Sequence, residues 1–299
     1  MPVHLADEWL AFEASIGCRP RMTGKSVLEI RNAVARMTKK PTKDTPGLKI
    51  HESVIDDSPH GIKVRIYEPL GQANILSPDV ALFFHGGGWC VGDLDLEDDL
   101  VRLMAVESNM RFVSVDYRLG PENPWPAQLD DCRAAVQWAR QANGNTTRVF
   151  LVGASAGAQL SLSVAAGLSQ TDCPIAGVVA LAPFTVRKED ALQYIGQQPI
   201  SHLENEDAPI LTMEVLQMFL DAARAPIGDH TFSVLLSPYL SSLPPTYLVV
   251  CGADILRDHG RLLAEELRKH SIPLKIDEYL GYPHTFWATP NLKIIDDFF

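Results

Sequence analysis

Residues 149–160 read VFLVGASAGAQL, an apolar run followed by a serine between two glycines and then a segment of small residues. The pattern predicts a buried strand from Val149 to Val152, a sharp turn with Ser155 at its apex, and a helix from Ala156 to about Gly167. Gly153 and Gly157 carry no Cβ, so strand and helix can approach closely while Ser155 is held in a strained conformation that pushes its Oγ outward. The free N–H groups at the start of the helix point at whatever binds beside that oxygen. The arrangement suits an attacking serine. Taken alone it also fits an ordinary glycine turn, and the rest of the chain must decide.

Outward from this stretch, short apolar runs at 80–84, 111–116, 148–152, 177–182, 246–251 and 274–279 alternate with helical patterns. Leu96, Leu100 and Leu103 mark one helix face, and Leu129, Cys132, Val136 and Ala139 another. Such alternation predicts an α/β protein with a mostly parallel sheet covered by helices on both faces. Upstream, KIHESVID (49–56) and GIKVRIYEP (61–69) flank Asp57, Ser58, Pro59 and His60, the turn of an antiparallel hairpin at a sheet edge. Residues 1–47 carry two helical stripes, Trp9, Phe12 and Ile16, then Val27, Ile30, Val34 and Met37, and end in a PTKDTPG linker. Residues 184–244 are too long for a simple crossover, and Leu216, Phe219, Leu220 and Ala223 mark a helix within them. The expected organisation is N-terminal cap helices over 1–47 and one domain over 48–299, with a cap insertion at about 184–244 covering the active face.

At 299 residues and 46% hydrophobic content the chain can fill one large core. Its net charge of −11 disfavours nucleic acid and anionic membrane as partners, leaving a small molecule as the expected one. The five cysteines are scattered, with no Cys-x-x-Cys spacing, so neither a disulfide framework nor a metal site is expected. The opening MPVHLADEWL contains two acids and no signal-like apolar stretch, and no run reaches the length of a membrane span. A cytoplasmic protein without membrane insertion follows as the expectation.

A serine hydroxyl near neutral pH needs a base to take its proton and a third group to fix the tautomer of that base. After YLVVCG comes ADILRDHG, which puts Asp254 just past a strand end. After LKIDEYL comes GYPHTFW, which puts His284 on the next such loop. In an open parallel sheet these loops converge beyond the carboxyl ends of the strands. Asp258 is the rival acid and a candidate helix cap. His259 and His270 rival His284, but both lie in the helical run DHGRLLAEELRKH and are expected to face solvent. A glycine-rich HGGGW at 85–89 follows the strand DVALFF. Its Gly87 and Gly88, with Ala156 directly after the serine, are the expected oxyanion donors, and Gly86 forms part of the turn. His85 is expected to orient this loop, and Tyr117 and Arg118 to brace the core. Trp89, Phe184, Met213, Met218 and Phe219 are candidates for an apolar pocket, though side chains of these types in helices often belong to plain core.

Taken together, HGGGW with Gly92-Asp93, DYRLGPENPWPA at 116–127, GASAG at 153–157 and the Asp254 and His284 loops resemble the hormone-sensitive-lipase-like branch of α/β-hydrolases, which includes carboxylesterases and arylacetamide deacetylase. The resemblance spans residues 80–287. It implies an eight-stranded sheet with a helical cap, cleavage of esters without a metal or cofactor, and frequent homodimers. Three positions depart from the family pattern: Ala154 stands where Asp is usual, Thr285 where Gly is usual, and Gly120 where Ala is usual. The first removes a carboxylate beside the nucleophile, and the second puts a stiff β-branched side chain beside the base.

The chain therefore reads as a serine hydrolase cleaving carboxylic esters of small to mid-sized apolar molecules through an acyl-serine intermediate. A second reading is a non-hydrolytic cyclase, lyase or acyl transferase of specialised metabolism using the same residues, since water exclusion separates hydrolysis from transfer. A third is a binding module like the plant gibberellin receptors, which resemble this family but have lost the catalytic histidine. The presence of His284 argues against it.

Overall fold

Strands that are apolar on both faces must be covered on both sides, and the central strands obey this. The protein is described here from a computed structural model covering residues 3–38, 45–56, 60–70, 79–143, 147–172, 174–196 and 198–297. Eight strands form one sheet: β1 (Leu48–Ile55), β2 (Ile62–Pro69), β3 (Val80–Phe84), β4 (Arg111–Asp116), β5 (Val149–Ala154), β6 (Gly177–Leu181), β7 (Thr246–Cys251) and β8 (Leu274–Tyr279). Their order is β1-β2-β4-β3-β5-β6-β7-β8. The β1–β2 hairpin is antiparallel and lies at the edge as expected, and β2 meets β4 antiparallel. All pairings from β4 through β8 are parallel. Turn residues 57–59, linker residues 39–44 and Cys173 lie outside the described residues.

Alternation along each strand feeds two cores. Val80, Leu82 and Phe84 of β3 join one, and Ala81 and Phe83 join the other. The first core is closed by α4 (Ala127–Asn143), α5 (Ala156–Leu168), α8 (Met213–Ala223) and α9 (Arg257–Lys269). The second is closed by α1 (Asp7–Ile16) and α3 (Asp98–Ser108). The remaining helices are α2 (Val27–Met37), α6 (Lys188–Ile195) and α7 (Ser201–Glu204).

Three helical stripes need correction. In α3 the inward residues are Leu100, Val101 and Ala105, whereas Leu103 is 36% exposed, because the helix starts at Asp98 and takes a different phase from the one inferred with Leu96. Ile16 and Met37, at the ends of α1 and α2, are exposed at 45% and 80%. In the last turn of a helix the stripe runs off the core it was packing against. The α4 face is buried as expected.

Candidate active site

Ser155 lies between β5 and α5 at φ 54°, ψ −115°. A non-glycine residue there costs on the order of 1–3 kcal/mol, so its surroundings must hold it. Its N–H donates to the Leu181 carbonyl at 2.8 Å, and its carbonyl accepts from Gln159 N–H at 3.1 Å. The flanking glycines are required by sterics: a Cβ at Gly153 would overlap the backbone of Gly157, and one at Gly157 would overlap the Phe84 carbonyl.

The loops after β7 and β8 bring the other two groups to this turn. Ser155 Oγ lies 2.9 Å from His284 Nε2, and His284 Nδ1 lies 2.6 Å from Asp254 Oδ2. With the imidazole neutral, Nδ1–H donates to the carboxylate and Nε2 accepts from the serine hydroxyl. All three residues are buried. Asp254 is itself held: its Oδ1 accepts from Leu256 N–H at 2.9 Å, and its carbonyl accepts from Asn205 Nδ2 at 2.7 Å. Asn205, at the end of α7, had no signal in the sequence, since only the fold brings it to this loop. The rival Asp258 is occupied elsewhere, accepting from Ser201 N–H at 2.7 Å and pairing with Arg257.

His259 is a correction. It does not face solvent but is fully buried, and the signal was present: it shares the i, i+4, i+8 stripe of Leu263 and Leu267, both buried. Its Nδ1 accepts from Thr185 N–H at 3.1 Å, so its Nε2–H is left to donate to His202 Nε2 at 3.0 Å. His270 is partly exposed, near Glu266.

Burial pushes His85 down to about 4, lowers His202, and, with the His202 and His284 charges adding, drives His259 well below the usual imidazole range. Unfolding restores an ordinary imidazole, near 6.5, so below that pH the unfolded chain binds more protons and stability falls with pH. His85 alone contributes a loss of about 3 kcal/mol by pH 4. The melting temperature is therefore expected to fall steadily from pH 7 to pH 4.5 in a calorimetric series, and a flat profile would contradict neutral burial of these rings.

His85 holds the glycine loop by a hydrogen bond, its Nδ1 lying 2.7 Å from the Gly86 carbonyl. His85 stacks on Tyr117 with centroids 4.2 Å apart, and Tyr117 OH donates to the His85 carbonyl at 2.7 Å. Arg118 pairs with Asp131 at 2.7 Å. Cys90 and Val91 N–H groups both donate to the Gly87 carbonyl, at 3.1 and 2.9 Å. Among the described residues no protein acceptor takes the N–H of Gly87, Gly88 or Ala156, while Gly86 N–H is spent on Glu97 Oε2 at 2.8 Å. Gly88 sits at φ +59°, and a Cβ there would overlap the Phe219 ring. On the expectation that Gly88 N–H is an oxyanion donor, Gly88→Ala should lower kcat about 100- to 1,000-fold. Steady-state kinetics that change less than about fivefold would remove Gly88 from the hole.

An open, mostly apolar pocket lies at Ser155. Trp89, Phe184 and Phe219 line it, but Met213 and Met218 do not. In α8 the pocket face carries Leu216 and Phe219, and Met218 lies about 100° round the helix from Phe219, packed with Met213 against the core. Met22 and Val34 complete the wall from the N-terminal segment. Trp89 is fixed by its indole N–H, which donates to Gln159 Oε1 at 2.9 Å. Thr285 also lines the pocket and adopts the left-handed region, φ 52°, where a β-branched residue is strained.

Residues 81–288 match the alpha/beta hydrolase fold family. Versiconal hemiacetal acetate esterase of Aspergillus parasiticus is 34% identical over 302 residues, which cover 97% of this chain and 93% of that protein. FAD-linked oxidoreductase pytB of Aspergillus terreus is 40% identical over 233 residues, but these span 76% of this chain and 28% of pytB. Among solved structures, vibralactone cyclase superposes with a TM-score of 0.83 at 25% identity, over 99% of this chain and 92% of that one. No helix among the described residues is long and apolar enough to cross a membrane. With a match over residues 81–288, and an esterase relative aligned over almost its whole length, this chain belongs to the alpha/beta hydrolase fold family as a serine hydrolase of carboxylic esters.

Proposed function

We propose that Ser155 is the nucleophile, His284 the general base and acid, and Asp254 the group that orients and stabilises His284 as it becomes charged. Ser155 Oγ attacks the ester carbonyl as its proton passes to His284 Nε2, and the amides of Gly87, Gly88 and Ala156 receive the oxyanion. The C–O bond to the alcohol then breaks, His284 returns the proton to the departing oxygen, and an acyl-Ser155 ester remains. Water attacks that ester with His284 again as base, releasing the acid and restoring the serine. The observation that carries this reading is the continuous relay of 2.9 and 2.6 Å from hydroxyl to imidazole to carboxylate.

The pocket wall favours apolar substrates of small to mid size, because Met22, Leu211, Leu216, Phe184 and Phe219 offer dispersion contacts and few hydrogen bonds. Residues 1–47 and 184–244 act in this reading as the cover of the pocket. A homodimer goes with it, on the family resemblance. The test is covalent: an alkyl p-nitrophenyl phosphonate should add stoichiometrically, with the adduct mapped by peptide mass spectrometry to Ser155, and p-nitrophenyl butyrate turnover should vanish in step. Full labelling at another residue would overturn the assignment.

A further inference from the structure

A carboxyl group stands at the wall of this pocket outside the relay. Glu97 lines the pocket beside Ser155 and His284. A Cβ built at Gly86 would lie 3.6 Å from Glu97 Oε2, so the carboxyl group lies against the glycine loop. Both imidazole nitrogens of His284 are already engaged, by Asp254 and Ser155, so Glu97 has no place in proton transfer. Its Oε2 accepts from the loop, from Gly86 N–H at 2.8 Å. Position 154, at the end of the nucleophile's own strand, is a buried alanine and supplies no carboxylate.

We propose that Glu97 is a positioning residue for the oxyanion loop, its carboxyl group fixing Gly86 and thereby aiming the amides of Gly87 and Gly88. The inference rests on the reading of Ser155 as nucleophile. Glu97 can act as a fixed post because the residue after it is clamped. Asp98 begins α3 and is buried; its Oδ1 accepts from Arg65 Nη1 at 2.8 Å and from Tyr67 OH at 2.6 Å, and its Oδ2 accepts from Arg102. Leu100, Val101 and Ala105 then pin the helix into the core. Gly87 and Gly88 both have positive φ and no side chain to pack; the Cys90 and Val91 amides hold the Gly87 carbonyl, and Glu97 adds an anchor at Gly86 from outside the loop. A half-buried carboxyl group in an apolar wall is otherwise unfavourable. Burial raises its pKa, opposed by the Gly86 amide, the Trp287 indole and the His284 charge.

The test separates aim from bulk. Glu97→Ala should lower kcat about 10- to 100-fold while KM changes less than about threefold, because a misaimed donor is felt only where charge develops. Inhibition by an alkyl trifluoromethyl ketone, whose adduct places an oxyanion in the hole, should weaken by the same factor. Glu97→Gln keeps an acceptor for Gly86 N–H and should recover kcat to within about fivefold of the wild type. If the alanine variant does not fold, Glu97→Met, which fills the space without a strong acceptor, takes its place. The proposal is overturned if kcat of the alanine or methionine variant stays within about twofold, if the loss falls on KM alone, if ketone inhibition is unchanged, or if Gln is no better than the other variants. Phosphonate labelling of the wild-type Ser155, measured first, reports on the underlying reading separately.

Discussion

Ser155→Ala is expected to reduce kcat/KM for p-nitrophenyl butyrate by about ten thousand- to a million-fold. Without Oγ no acyl-enzyme forms, and what remains is the modest acceleration that binding and the oxyanion amides give to attack by water. The fold should survive. Among the described residues the Ser155 side chain makes one hydrogen bond, to His284, while the backbone bonds that hold the turn, to Leu181 and from Gln159, do not depend on the hydroxyl. Alanine also bears a Cβ, so the strain at φ 54° is the same. Melting temperature measured beside the kinetics should change by only a few degrees, roughly what about 1 kcal/mol implies for a chain of this size. A variant retaining more than about one per cent of wild-type turnover, free of contaminating esterase, would end the serine mechanism.

Asp254→Asn should cost about ten thousand-fold in kcat, nearly as much, although it changes one atom. The reason lies in the two bonds of the carboxylate. Oδ1 accepts from Leu256 N–H at 2.9 Å, and that demand orients the asparagine carbonyl toward Leu256. The amide NH2 is then turned to His284 Nδ1, which can no longer donate and must accept. The imidazole proton moves to Nε2, where it faces Ser155 Oγ, and the base has lost the lone pair that takes the serine proton. Packing should be unaffected, since size and shape are conserved. Single-turnover kinetics with p-nitrophenyl butyrate would show the loss in acylation, and a drop below about tenfold would mean that Asp254 does not set the tautomer.

Much of the site can be read from local pattern. The strand, turn and helix around Ser155 were legible because glycine sterics and apolar period act over a few residues, and the structure places them nearly where the pattern does, with β5 at Val149–Ala154 and α5 at Ala156–Leu168. The positions of Asp254 and His284 past strand ends were legible for the same reason. Met213 and Met218 show the limit. Their type suggests a pocket, but helix phase sets which side of α8 faces the pocket, and that phase depends on what the helix packs against. Glu97 shows it again: GDLDLEDDL holds acids at 93, 95, 97, 98 and 99, and nothing in their order distinguishes the one that reaches the glycine loop.

By itself the amino-acid sequence determined the class of fold, the nucleophile turn, the order of the chemical groups and the glycine loop, because each is written in spacing and steric need over a short span. Only the tertiary structure decided that His259 is buried against His202, that Met22 and Val34 wall the pocket, that Asn205 steadies the Asp254 loop, and that Glu97 holds Gly86. These contacts join segments far apart in the chain. Their existence depends on sheet order and on the convergence of loops at one end of the strands, which no local pattern contains.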